Sequence, residues 1–209
     1  MEAIRIGLGA LFVSVVFISS AAQAQTVRVR GTIEQVEGEV LTVKSREGDT
    51  LKVKLAADGH VVALVKASLD DIKPGSFVGA TALPEGNGRW RAVEVHILPE
   101  AQRGLGEGDR ANDYRPKSTM TNGTVNAVGK QDVGGTVTKE QGTALTLKFK
   151  DGEKQVDVMP DTVIYTYADG SAADFKPGAR VFITGATKQS DGTLMTARIN
   201  VGRGVAPPM

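Results

Sequence analysis

Apolar and polar residues alternate along most of this chain in short runs rich in β-branched side chains. Val27-Arg28-Val29-Arg30-Gly31-Thr32-Ile33 alternates, and so do Leu41-Thr42-Val43-Lys44 and Leu51-Lys52-Val53-Lys54-Leu55. A period of two with one apolar face predicts half-buried strands. Glu37-Gly38 and Glu47-Gly48-Asp49 are the turn signals between them. Ser76 to Leu83 and Trp90 to Leu98 bring the expected strands to five. Between the third and fourth lies an insertion, His60 to Ile72. Its Ser68-Leu69-Asp70-Asp71 predicts a short helical turn closed by Lys73-Pro74-Gly75.

The pattern then repeats. Gly31-Thr32-Ile33, Gly38, Leu41-Thr42-Val43-Lys44 and Gly48 recur as Gly135-Thr136-Val137, Gly142, Leu145-Thr146-Leu147-Lys148 and Gly152, each 104 residues later. Asp71-Ile72-Lys73-Pro74-Gly75 recurs as Asp174-Phe175-Lys176-Pro177-Gly178, at an offset of 103. In the second copy the expected strands are Val133 to Thr138, Ala144 to Phe149, Lys154 to Met159, Ala179 to Ala186 and Thr193 to Val201. Thr162 to Tyr167 is an extra strand in the insertion. Asp71 and Asp174 each precede Lys-Pro-Gly, where a carboxylate accepts backbone N–H groups ahead of strand four.

Five short strands with an insertion after the third suit a small closed barrel of the OB type. The expected architecture is therefore all-β: two tandem OB-like five-stranded barrels joined by a glycine-rich linker. Residues 25–98 form the first repeat, 99–132 the linker and loop segment, 133–203 the second repeat, and 204–209 a loose tail. Thr119 to Val128 is β-like, and either pairs with strand one of the second copy or lies across the groove between the barrels. Residues 1–24 stand outside the fold. Arg5, the apolar run Ile6 to Ile18 and the small-residue site Ala22-Gln23-Ala24 read as a secretory signal peptide cut after Ala24. That address is periplasmic or secreted.

Composition narrows the chemistry. The chain has no cysteine and only two histidines, which excludes thiolate metal sites, Fe–S clusters and cysteine nucleophiles. The formal net charge is +1, balanced along the length. No basic field exists to hold nucleic acid, and aromatic residues at 5% give no stacking platform. No apolar segment after the leader reaches spanning length.

Gly-Thr-Ile/Val, Leu-Thr-Val/Leu-Lys, Asp-x-Lys-Pro-Gly-x-x-Val, and Asp/Asn-Gly followed by Ala-x-x-Ile/Val together resemble an exported bacterial domain-of-unknown-function family with tandem OB-like β-barrels. The match is fuller in the second copy (Asp174 to Gly178, Val181, Asp191-Gly192, Ala197, Ile199) than in the first (Asn87-Gly88, Ala92, Val95). Pro99 to Gly104 and Ser118 to Asn122 resemble a subgroup that carries a metal-transporter label. The resemblance implies a fold and a compartment, and it carries over no catalytic residue.

Each candidate group weighs against a plainer role. Two histidines, His60 and His96, with a carboxylate such as Glu94 are candidates for a metal site. Glu94 and His96 stand at i and i+2 and share a strand face only where that face is wet, the second copy has Arg198 and Asn200 there instead, and the plainer role is a surface histidine. Met120, Met159 and Met195 are too scattered for a copper site and read as packing. Asp70-Asp71 and the acidic turns lack the ordered oxygens of a calcium loop. Gly104-Leu-Gly106-Glu-Gly108 neither follows a buried strand nor opens a helix, so it is no phosphate cradle. No Gly-x-Ser-x-Gly elbow occurs. Catalytic, cofactor-binding and metal residues are accordingly none.

What remains is a partner or ligand surface at Trp90, Arg103, Arg110, Tyr114 and Arg115. The expected function is a non-enzymatic binding or scaffold protein of the periplasm, its partner an unknown periplasmic protein or small ligand. The alternative is a metal-linked accessory beside a divalent-cation transporter. The copies agree at scaffold positions and disagree at His60, His96, Trp90 and Met195. Function belongs where they differ, or in Pro99 to Val128.

Overall fold

Alternation does produce strands, but their order is not tandem. The computed structural model describes residues 26–86, 88–132 and 141–205. The leader, Asn87, the expected strand Val133 to Thr138 and the tail from 206 lie outside the described residues. The strands are β1 (Thr26–Glu37), β2 (Val40–Ser45), β3 (Thr50–Lys66), β4 (Phe77–Gly86), β5 (Arg89–Ile97), β6 (Gly108–Ala111), β7 (Thr119–Asp132), β8 (Gln141–Phe149), β9 (Gly152–Asp169), β10 (Arg180–Lys188) and β11 (Leu194–Arg203). The fold is all-β; the only helical pieces among the described residues are 3-10 turns at Leu69–Asp71, Glu100–Gln102 and Ala172–Asp174.

Pairing closes β1, β2, β3, β11 and β10 into a five-strand barrel, the first ring. β4, β5, β9, β8 and β7 likewise return to their start as a second ring. Each ring therefore holds three consecutive strands of one half and two of the other, so the expected succession of separate barrels over 25–98 and 133–203 is replaced by an exchange. The cause is the length of β3 and β9. The expected third strand ends at Leu55, yet the apolar run Val61 to Val65 continues it to Lys66. The far ends of β3 and β9 pair antiparallel, Leu64 opposite Tyr167. Each long strand thus carries the chain from one ring to the other, and the next two strands complete the ring it has reached.

The cores record the exchange. Ile33, Leu41, Val43 and Val53 of the first half pack with Val181, Ile183, Ile199 and Val201 of the second. Val78, Ala80 and Val95 pack with Val125, Leu145, Leu147 and Val156 in the other ring. Neither half encloses a core by itself.

The two halves are related by an approximate two-fold, since the pairings are reciprocal. Arg30 opposes Phe182 as Asn122 opposes Gly79. Asn200 opposes Val62 as His96 opposes Tyr165. The irregularity at Ile33/Gln35 recurs at Val125/Ala127. This corrects the repeat. The counterpart of Gly31-Thr32-Ile33 is Gly123-Thr124-Val125 rather than Gly135-Thr136-Val137. Thr32 faces Lys44 and Thr124 faces Lys148. A Cβ at Gly31 would lie 2.4 Å from the Lys44 carbonyl oxygen and one at Gly123 would lie 2.7 Å from that of Lys148, so both strands need glycine there. The segment expected as linker thus supplies the first strand of the second ring, plus the edge strand β6 on β7.

The corners match their expectation. Asp71 accepts the Ser68 N–H at 2.8 Å, and Asp174 accepts that of Ser171 at 2.8 Å. Each carboxylate caps a short turn that leads through Lys-Pro-Gly into the next strand.

Candidate functional site

The strands that meet at the two-fold bring unlike side chains to equivalent places. Glu94 and His96 on β5 correspond to Arg198 and Asn200 on β11, Asn122 on β7 to Arg30 on β1, and Gly79 on β4 to Phe182 on β10. All of these but Gly79, with Tyr165 and Tyr167 of β9, line a cleft of about 550 Å³ between the rings. That volume is in the range of small-molecule sites.

The second-ring wall is built around a buried carboxylate. Glu94 is 7% exposed. Thr81 Oγ1 donates to its Oε1 at 2.8 Å and Tyr165 OH donates to its Oε2 at 3.1 Å. His96 Nδ1 lies 3.7 Å from Oε1, an ion-pair separation too long for a good hydrogen bond. Burial pushes the Glu94 carboxyl up, but His96, Thr81 and Tyr165 together outweigh it and hold the group below the usual carboxylate range. Burial first, then the Glu94 charge, pushes Tyr165 and Tyr167 up, so both phenols keep their protons. The His96 and Tyr165 rings stack with centroids 5.5 Å apart, and Tyr167 meets both edge-on.

This wall leaves polar atoms unpaired. His96, 6% exposed, has no hydrogen-bond partner at Nδ1, and Asn122, 7% exposed, has none at Oδ1. The Asn122 amide is oriented, because its Nδ2 donates to the Leu105 carbonyl at 3.1 Å. Oδ1 is therefore an open acceptor. Leaving a buried polar group unpaired costs about 1–3 kcal/mol. Gly79 makes the room: a Cβ there would stand 2.2 Å from His96 Nε2 and 2.6 Å from Asn122 Oδ1.

The first-ring wall is cationic. The Arg30 guanidinium lies 4.3 Å over the Phe182 ring. Its Nη2 donates to Asp113 at 2.7 Å, while its Nε is buried and unpaired. Arg28 joins the same carboxylate at 3.5 Å. Partial burial raises the Asp113 carboxyl, but Arg30 and then Arg28 overcome this and hold it below its ordinary value. Arg198 Nε donates to Asn200 Oδ1 at 3.1 Å, and Asn200 Nδ2 donates to the Phe182 carbonyl at 2.8 Å.

Segment 99–118 lies over one end of the cleft as a pinned cap. Asn112 Nδ2 donates to Thr81 Oγ1 at 3.0 Å, joining the cap to the Glu94 network. Lys154 Nζ, itself buried, donates to Asp109 at 3.0 Å and to Thr119 at 2.7 Å.

Of the five surface residues expected from sequence, only Arg110 reaches the cleft, where its Nη1 donates to the Gly106 carbonyl at 2.6 Å. Trp90 packs half-buried on the second core under Lys154 Nζ, 3.5 Å from the ring centroid. Arg103 pairs with Glu100 and donates to the Gly75 carbonyl at 3.0 Å, fastening the cap. Tyr114 and Arg115 stack 5.2 Å apart in a separate shallow depression beside Arg46. His60 is exposed on β3, in register with Arg198. Among the described residues no group of three or more acidic or histidine side chains is placed to hold a metal ion. Sequence reasoning passed over Arg30, Asn122, Tyr165 and Tyr167. The mismatch of Glu94 and His96 with Arg198 and Asn200 was the available signal for the site.

No family model, curated protein or solved structure matches this chain. No helix among the described residues is long and apolar enough to cross a membrane.

Proposed function

We propose that this is an exported, non-enzymatic binding protein that holds a small polar ligand in the cleft between its rings. The observation that carries the reading is the open acceptor Asn122 Oδ1, on a side chain more than nine-tenths buried, beside a buried His96 whose Nδ1 has no hydrogen bond and only the Glu94 carboxylate 3.7 Å away. Buried polar atoms are ordinarily satisfied, and a ligand in the cleft supplies the partners. The leader-like sequence ending Ala22-Gln23-Ala24 supports the exported address. Each ring is read as an OB-type barrel, the pair joined by strand exchange. The Tyr165 and Tyr167 phenols stay protonated and serve as donors and apolar faces. Glu94 is already held by two hydroxyls, which favours a fixed recognition group over a base that must change partners.

The test is retention. The purified protein is incubated with a periplasmic extract, separated from free solutes, denatured and analysed by mass spectrometry. A compound retained by the wild type and by R115A, and lost in G79A and N122A, supports the cleft as the site. The two variants act differently, one crowding His96 and Asn122 from behind and one removing an acceptor. Retention of nothing, or equal retention by all four proteins, overturns the reading.

A further inference from the structure

The two walls of the cleft differ in hydrogen-bond sense, and this says what kind of molecule fits between them. The second-ring wall offers acceptors: the Glu94 carboxylate and the open Asn122 Oδ1. At equivalent places the first-ring wall offers donors, the guanidinium groups of Arg198 and Arg30. Asp113 already occupies Arg30 and Arg28. Arg198, half-buried, and Arg110 have no carboxylate within 4.0 Å among the described residues.

From this opposition, and resting on the proposal that the cleft is a ligand site, we infer that the occupant is a small zwitterion of amino-acid type. Its carboxylate meets Arg198, with Arg110 at the cap. Its ammonium meets Asn122 Oδ1 and the Glu94 side, where the Tyr165 and Tyr167 rings add faces suited to a cation. Arginine forks match carboxylates in geometry as well as charge. A dicarboxylate satisfies one wall and is repelled by Glu94. A diamine satisfies the other and is repelled by Arg198. A cleft of about 550 Å³ has room for a free amino acid or a short peptide.

The experiment is calorimetric titration of the purified protein with free L-amino acids and dipeptides. Each is matched to its N-acetyl and C-amide derivatives, and succinate and putrescine are the single-sign probes. The expected result is binding of at least one free zwitterion, weakened about ten-fold or more, ~1.4 kcal/mol, by blocking either end. R198Q should weaken the free zwitterion about ten-fold while leaving its amide nearly unchanged. N122A should do the same to the free amine and spare the N-acetyl form. Thermal unfolding of each variant confirms that it is folded. Succinate or putrescine binding as tightly as every zwitterion overturns the inference, as does a zwitterion indifferent to R198Q and N122A, or no binding across the panel. The retention experiment separates the two failures: a retained compound of another class leaves the cleft standing as a site, and retention of nothing removes both.

Discussion

Glu94 and Arg198 hold the same place in two rings that share register irregularities, Thr196/Arg198 matching Ala92/Glu94 and Ile33/Gln35 matching Val125/Ala127. So do Asn122 and Arg30, and Gly79 and Phe182. At the turns and inside the barrels the halves kept like residues: Leu41 and Leu145, Lys-Pro-Gly twice, Asp71 and Asp174. At the two-fold they did not. A symmetric arrangement would set identical groups face to face, arginine against arginine or carboxylate against carboxylate, with the repulsion that follows. The divergence turns that surface into a cleft with a donor wall and an acceptor wall. Scaffold equivalence and site inequivalence are thus read from one comparison.

The largest expected effects test the shared cores. L41A and L145A empty equivalent, nearly fully buried positions in different rings. Each should cost about 2–5 kcal/mol. Because every core draws on both halves, each variant should lower one common transition in denaturant, followed by Trp90 fluorescence and by far-ultraviolet circular dichroism. Two separable transitions would break the exchange.

G79A comes next. Its Cβ would meet His96 and Asn122 at 2.2–2.6 Å, and crowding of this kind costs about 1–3 kcal/mol. The equivalent place, Phe182, accepts the larger side chain because its own ring supports Arg30. F182L should cost less than G79A in the same denaturant series; the reverse order would deny that Gly79 is the tight side.

Y165F removes the hydroxyl that donates to Glu94 Oε2, a hydrogen bond to a charged group worth about 1.5–3 kcal/mol. V62A at the equivalent place loses no polar contact. A pH series should show the Y165F deficit at neutral pH shrinking as Glu94 protonates. A deficit independent of pH would mean that the hydroxyl contributes only packing.

The smallest effect separates the corner carboxylates. Arg203, then the Ser171 N–H, depress Asp174 to about 2 from an ordinary 3.8. Asp71 is lowered by Ser68 without an arginine. A depressed carboxyl stabilises the fold fully above its unfolded value and loses that contribution as pH falls toward the folded one. Wild-type thermal midpoints should therefore fall between pH 3.8 and about 2. D174N should flatten that fall more than D71N, and equal flattening would put the two corners on the same footing.

Much of this was legible in the chain. Alternation placed the strands, and Ser-x-x-Asp before Lys-Pro-Gly placed the corners. Two things were not. Gly-Thr-Val occurs at 123 and again at 135, and the second keeps the offset of its neighbours, so the longer β7–β8 connection stayed hidden. Val61 to Val65 reads as an apolar insertion, because nothing local says that a strand continues past its ring to meet its own counterpart. The site followed from that same long-range pairing. Glu94 and Arg198 stand 104 residues apart in sequence, and only the exchange brings their strands to one cleft. Trp90, Arg103, Tyr114 and Arg115 drew attention as aromatic and cationic types; all four are engaged in holding the second core, the cap or each other.

The exchange is the claim on which the cleft depends, and the absence of native cysteine gives a clean background for a direct measurement. Thr32 and Arg180 face each other across the β1–β10 ladder, whereas tandem barrels would set Thr32 against Phe77. Cysteine pairs at 32/180 and at 32/77 should be compared under mild oxidation, by non-reducing peptide mapping. The account predicts a monomeric disulfide in T32C/R180C with native spectra, and none in T32C/F77C. The opposite pattern, a bond joining 32 to 77 and not to 180, would contradict it.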